Sequence, residues 1–171
     1  RSLIGVSAVA SAEYFRDEQH KDILFFADNI YRFIQARNEL STILDQVPNE
    51  GGYEPTIFSD VKVFQDRLSS NENGSITSAQ TIYVPADDLS DPAVQMIQHE
   101  LDSTIVLSRK VAEQGIRPAV DLSLTTSSLL TPDIVGDRHY MLSVRVQALL
   151  QKYESLRGII AIIGENELSA A

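Results

Sequence analysis

The stretch Lys21 to Phe33, KDILFFADNIYRF, places an aspartate, Asp28, at the end of a short apolar run, with Asn29 and Arg32 close behind it. A carboxylate at the tip of a strand suits phosphoryl transfer, because it holds a hard divalent cation, directly or through water, against phosphate oxygens. Two structural readings of the same residues stand beside that one. Asp28 reads equally as the cap of the helix that follows a strand, and Arg32 as a surface charge. The usual companion of such an acid, a G-x-x-x-x-G-K-[ST] phosphate loop, does not occur in these residues.

Other constellations carry less. Asp87, Asp88 and Asp91 are spaced like part of a cation loop, but the EF-hand interval and its closing glutamate are missing, so they read as a solvated turn. His20, His99 and His139 are scattered, without the H-E-x-x-H interval of a zinc site. Gly5 to Val9, GVSAV, has valine where the nucleophile elbow G-x-S-x-G needs its second glycine. Asn73-Gly74-Ser75 spells a glycosylation sequon and is taken as a turn.

The elements that must position Asp28 follow from periodicity. Leu3 to Phe15 repeats at helical spacing, and Ile23 to Ala27 is a continuous apolar run that reads as a strand buried on both faces. From Ile30 the spacing turns helical, and Ile57, Val61, Phe64 and Leu68 predict a second helix after the loop VPNEGGYEP. ITSAQTIYV reads as another strand, PADDLSDP as a loop, and Ser103 to Ser108, STIVLS, as a third strand. Strands alternating with helices predict an α/β fold with a parallel sheet, ligands lying at the strands' carboxyl ends. Residues 114–133 read as a loop, and Leu142 to Leu156 as a long amphipathic helix opening a helical portion.

Composition sets the limits. At 171 residues and 43% apolar side chains the chain is long enough to bury a core. A formal net charge of −10 disfavours general attraction to nucleic acid or anionic lipid, so any phosphate must be held locally. The absence of cysteine excludes disulfides and thiolate metal sites. No apolar run reaches the roughly 20 residues of a spanning helix.

The segment AEYFRDEQHKDILFFADNIYRF resembles the Walker B region of the catalytic, or beta, subunit of rotary ATP synthases, where the family reads AEYFRD, a short spacer, then DVLLF-DNI-RF. GYEPT, GSITSAQTIYVPADDLSDP, LDSTIVLSR, GIRPAVD, VGDRHY and IIAIIGENELS continue the resemblance in order over essentially the whole chain. YVPADDLSDP is specific to the catalytic rather than the non-catalytic subunit. The resemblance implies the later half of a P-loop NTPase (RecA-like) parallel-sheet domain over residues 1–130, followed by the start of an α-helical C-terminal domain over 131–171. It further implies an internal piece of an ATP synthase or ATP hydrolase that couples ATP chemistry to shaft rotation and proton transport. On this basis the piece alone is expected to be inactive.

Residue by residue, the resemblance makes Asp28 the Walker B acid acting on magnesium through water, and puts Asn29, Arg32 and Tyr83 beside the reacting phosphates of ATP or ADP. Asp87, Asp88 and Asp91 would lie in the loop that meets the central rotor shaft, joined by Glu165 and Glu167 of ENELS. Non-catalytic alpha-type subunits would complete a hetero-hexameric ring, peripheral to a membrane on the cytoplasmic or organelle-matrix side. The family's phosphate loop and catalytic glutamate would precede Arg1. The sequence departs from the pattern where Arg117 replaces the tyrosine that stacks on adenine. Ser128 stands where the non-catalytic subunit carries its arginine finger. Those departures motivate the alternative of a non-hydrolysing paralogue within a similar motor.

Overall fold

The computed structural model describes residues 2–44, 53 and 56–163. Apolar residues at helical spacing form α1 (Ser2–Asp17), and Gly5 to Val9 lie within it, so that segment forms no strand-to-helix elbow. The chain then enters β1 (Ile23–Ala27), crosses through α2 (Tyr31–Ile43) and α3 (Ile57–Asp66), and returns as β2 (Ile76–Gln80). β1 and β2 pair in parallel, from Ile23 opposite Ile76 to Ala27 opposite Gln80. A parallel pair cannot be closed by a tight turn, and the two helices supply the crossover. The result is the expected α/β arrangement.

The chain divides into two compact units, residues 1–100 and 101–171. In the first, Val9, Ile34, Ile57, Val61, Val94 and Ile97 are fully buried. Phe64 of α3 meets Phe25 edge-on at 6.5 Å between ring centroids and Phe33 at 5.2 Å, joining strand and helices in one apolar cluster. Gly5 permits α1 to approach this cluster, since a Cβ there would lie 3.2 Å from the Phe33 ring and 3.3 Å from the Phe64 ring. A helix that periodicity did not reveal, α4 (Pro92–His99), closes the unit. Its signal was nonetheless present: Asp91 caps it and proline occupies its first turn.

β1 corrects one expectation. It is not buried on both faces, because Leu24 is 60% and Phe26 72% exposed while Ile23, Phe25 and Ala27 are half-buried. Among the described residues β1 belongs to a two-stranded sheet, and its outward side chains meet no second layer.

In the second unit the expected strand at 103–108 shrinks to β3 (Ser103–Thr104), followed by α5 (Arg109–Glu113) and β4 (Thr126–Ser127). β3 and β4 pair antiparallel, so this segment adds nothing to the parallel pair. β-Branched composition alone does not distinguish a sheet strand from an extended stretch with little pairing. A short α6 (Pro132–Val135) and Gly136, at φ 82, lead into α7 (Asp137–Ile163), which contains and outruns the helix read from Leu142 to Leu156.

Candidate functional site

Asp28 follows the last ladder residue of β1, and Thr81 follows the last of β2, so the register places the two side by side. Four hydrogen bonds join Thr81 to residues 27–30, one of them to Asp28 itself. Thr81 N–H donates to the Ala27 carbonyl at 3.0 Å, and Ile30 N–H to the Thr81 carbonyl at 2.9 Å. The Thr81 hydroxyl accepts from Asn29 N–H at 2.7 Å and donates to Asp28 Oδ1 at 3.0 Å. One hydroxyl therefore fixes the carboxylate and the backbone that follows it. Sequence reasoning missed Thr81, because only the cross-strand register brings it to Asp28.

Asn29 adopts a left-handed conformation at φ 59, one that asparagine tolerates better than most residues. That turn sends the chain into α2, whose Arg32 N–H bonds to the Asn29 carbonyl at 3.0 Å. The Asn29 side-chain oxygen accepts from Tyr83 N–H at 3.3 Å. The helix-cap reading of Asp28 fails: the residue preceding α2 is Ile30, and no side chain caps the helix. Freed of that duty, the carboxylate is exposed on the wall of a cavity of about 470 Å³. Asn29 and Arg32 line the same cavity, with Ile4, Phe26 and Glu39 among the other walls.

The structure thus brings Asp28, Asn29 and Arg32 onto one wall, with Tyr83 tied to it through its backbone. Arg117 lies in the second unit, where its guanidinium donates to the carbonyls of Ala112 at 2.8 Å and Ile116 at 3.0 Å. The Ser128 hydroxyl donates to the Asp102 carbonyl at 3.1 Å.

After Tyr83 the chain makes a single 3₁₀ turn at Pro85–Asp87, with Ala86 and Asp87 at positive φ. Asp88 Oδ1 accepts from both the amide and the hydroxyl of Ser90, which lowers its carboxyl below the ordinary range. Asp91 Oδ1 accepts from the Ala93 and Val94 amides, capping α4. Among the described residues no group of three or more histidine, cysteine, aspartate or glutamate side chains converges, so these acids form no cation loop. Glu165 and Glu167 lie outside the described residues.

Magnesium keeps most of its water shell and takes one or two carboxylates beside substrate phosphates. A single hard carboxylate on a cavity wall, as Asp28 provides, fits that donor chemistry.

The model of the ATP synthase alpha/beta family, nucleotide-binding domain, matches residues 1–127. Among solved structures, the chain is similar to the assembled ATPase EscN from the enteropathogenic E. coli type III secretion system, with a TM-score of 0.84 and 29% identity. The similarity covers 94% of this chain and 38% of that one. No helix among the described residues is long and apolar enough to cross a membrane.

Proposed function

This chain belongs to the ATP synthase alpha/beta family through its nucleotide-binding domain, and from that premise we infer that the Asp28 cavity is the phosphate end of an ATP/ADP site in a catalytic, beta-type subunit of a rotary ATPase. The observation that carries the inference is the Thr81 clasp, which holds Asp28 on the cavity wall without spending it on a helix cap. Asp28 would hold magnesium through water, and the ion, when bound, supplies charge neutralisation at the phosphate oxygens. Arg32 neutralises charge on the transferring phosphoryl group, with Asn29 on the same cavity and Tyr83, tied to Asn29 through its backbone, beside the reacting phosphates. The resemblance to the catalytic subunit is what offers Arg117, in the second unit, as a contact for the nucleotide base.

In the parent assembly this subunit alternates with non-catalytic alpha-type subunits in a hetero-hexameric ring. The ring couples ATP hydrolysis or synthesis to rotation of a central shaft and to proton transport, peripheral to the membrane on its cytoplasmic or organelle-matrix side. Asp87 and Asp88 of the loop after Tyr83 meet the shaft, together with Glu165 and Glu167, while Asp91, expected beside them, has both carboxylate oxygens engaged within the chain and holds the loop. Residues 131–171 begin a helical C-terminal domain. Support for that boundary comes from the family match, which stops at residue 127, and from α6 and α7 beyond it.

A phosphate loop is not among these 171 residues, so the test uses the full-length parent in its assembled complex. Asp28→Asn is expected to lower steady-state ATP turnover at least about a hundred-fold, the scale of removing one preorganised charged group from a reacting site. Turnover at the unmutated rate would overturn the assignment. The engagement of Arg117 with the Ala112 and Ile116 carbonyls favours a second reading, a non-hydrolysing paralogue. In that case the unmutated complex binds nucleotide and shows no turnover in the same assay.

A further inference from the structure

The loop from Val84 to Asp91 is tied to the start of α2 at both of its ends. At the near end, Tyr83 N–H donates to Asn29 Oδ1. At the far end, the Tyr53 hydroxyl donates to Asp91 Oδ2 at 2.8 Å and lies 2.9 Å from the Tyr31 hydroxyl. Tyr53 has one proton and gives it to the carboxylate, so Tyr31 must donate to Tyr53. Burial first, then these two partners, holds the Tyr53 phenol well above its usual range, and it remains a donor. Tyr31 is 6% exposed, which fixes its ring in the core, and it immediately precedes Arg32.

We propose that the Tyr31–Tyr53–Asp91 hydroxyl relay positions Arg32, by locking the first turn of α2 to the far end of the Val84–Asp91 loop. Tyr31 and Tyr53 are then positioning residues of the cavity, and displacement of the loop is transmitted to its wall. The two ties form a closed circuit: Asn29 to Tyr83, along the loop to Asp91, and back through Tyr53 to Tyr31. Neither tie alone would do this, since a loop held at one end swings about that end. Only the link to catalysis rests on the nucleotide-site reading given above; the tie itself does not.

Asp91 also caps α4, and the test must separate the two duties. Serine caps a helix about as well as aspartate but is too short to reach Tyr53, so Asp91→Ser keeps the cap and breaks the relay. Tyr53→Phe and Tyr31→Phe remove one hydroxyl each and keep the rings. In the assembled full-length protein, amide hydrogen exchange is followed at residues 29–33 and 84–91, with the β1–β2 ladder as internal reference. Loss of the charge-assisted link is expected to raise exchange in both segments about ten-fold. The Tyr31→Phe/Tyr53→Phe double variant should add nothing to either single one, as members of one chain do. Exchange at 29–33 that stays at the unmutated rate while the loop loosens, or single effects that add, would overturn the proposal. Turnover supplies the second readout: Tyr53→Phe should lower kcat about ten-fold with KM for ATP nearly unchanged, the mark of an interaction needed in the transition state. An unchanged kcat would remove the claim on Arg32. If Asp28→Asn leaves turnover untouched while the exchange result holds, the nucleotide-site reading has failed and the tie stands.

Discussion

Replacing Thr81 by valine removes a hydroxyl that accepts from Asn29 and donates to Asp28, while keeping the β-branched shape at the end of β2. Thr81→Val is therefore expected to cost about 0.5–1.5 kcal/mol in denaturant unfolding, the net worth of an ordinary hydrogen bond whose exposed partners water can serve. Turnover of the parent complex should fall by about ten-fold, because the Asp28 carboxylate is then free to change rotamer, and Thr81→Ser should restore most of it. A loss of stability without loss of turnover would make Thr81 a strand-end residue only. Asp28 and Asn29 were legible in the sequence because a carboxylate closing an apolar run is a local pattern. Thr81 was not, because a residue 53 positions away enters the site only through strand register. Arg117 was legible as a departure from the family, but its hydrogen bonds to the end of α5 were not, since they depend on how that loop folds.

At the scale of elements, the AEYFRD motif secures α1 to the chain leading into β2. The Arg16 side chain, 7% exposed as a residue, donates to the Arg67 and Ser69 carbonyls and holds Asp17 through two parallel bonds. Glu13 pairs with the Arg67 guanidinium. That hydrogen bond and the charge of Arg67 lower the Glu13 carboxyl below its ordinary range, with burial opposing. A carboxyl whose folded pKa is depressed contributes stability above its unfolded pKa, and the contribution is lost as pH falls through the folded value. Between about pH 5 and 3, urea titrations should show the unmutated protein losing up to about 1 kcal/mol more than Glu13→Gln, the scale of a partly exposed ion pair. Parallel acid limbs in the two proteins would assign the pair no role in stability. Gly74 sits at the same junction, where a Cβ would lie 2.6 Å from the Lys21 carbonyl oxygen, a contact that no rotamer relieves. Gly74→Ala is expected to cost about 1–3 kcal/mol in the same titration, the range of backbone shifts forced by overpacking. Periodicity found α1, α2 and α3 because each repeats an apolar stripe, and α7 through the apolar spacing of its Leu142 to Leu156 run alone. It passed over α4, which is short and whose clearest marker is its Asp91-Pro92 start.

For the whole molecule, composition predicted a sizeable core and could not say where it lies. Every buried apolar side chain among the described residues belongs to the first unit. On the second, Ile134, Met141, Leu142, Leu149 and Tyr153 are about half exposed or more, and on the first the outward face of β1 shows Leu24 and Phe26. Two forces then compete in the chain as it stands. A net charge of −10 keeps copies apart, while exposed apolar side chains draw them together. Repulsion between exposed charges is screened over about 8 Å at physiological ionic strength, whereas burial of apolar surface is not weakened by salt. The 171-residue chain is therefore expected to self-associate, and more strongly as salt is raised. Light scattering on a size-exclusion column from low to high salt checks this, with Leu24→Ser/Phe26→Ser as the companion variant. These side chains are exposed, so the variant should reduce association while leaving the thermal midpoint within a few degrees. A monomer at every salt concentration, with one sharp unfolding transition, would mean that the outward face of β1 needs no cover and that charge alone governs the chain in solution.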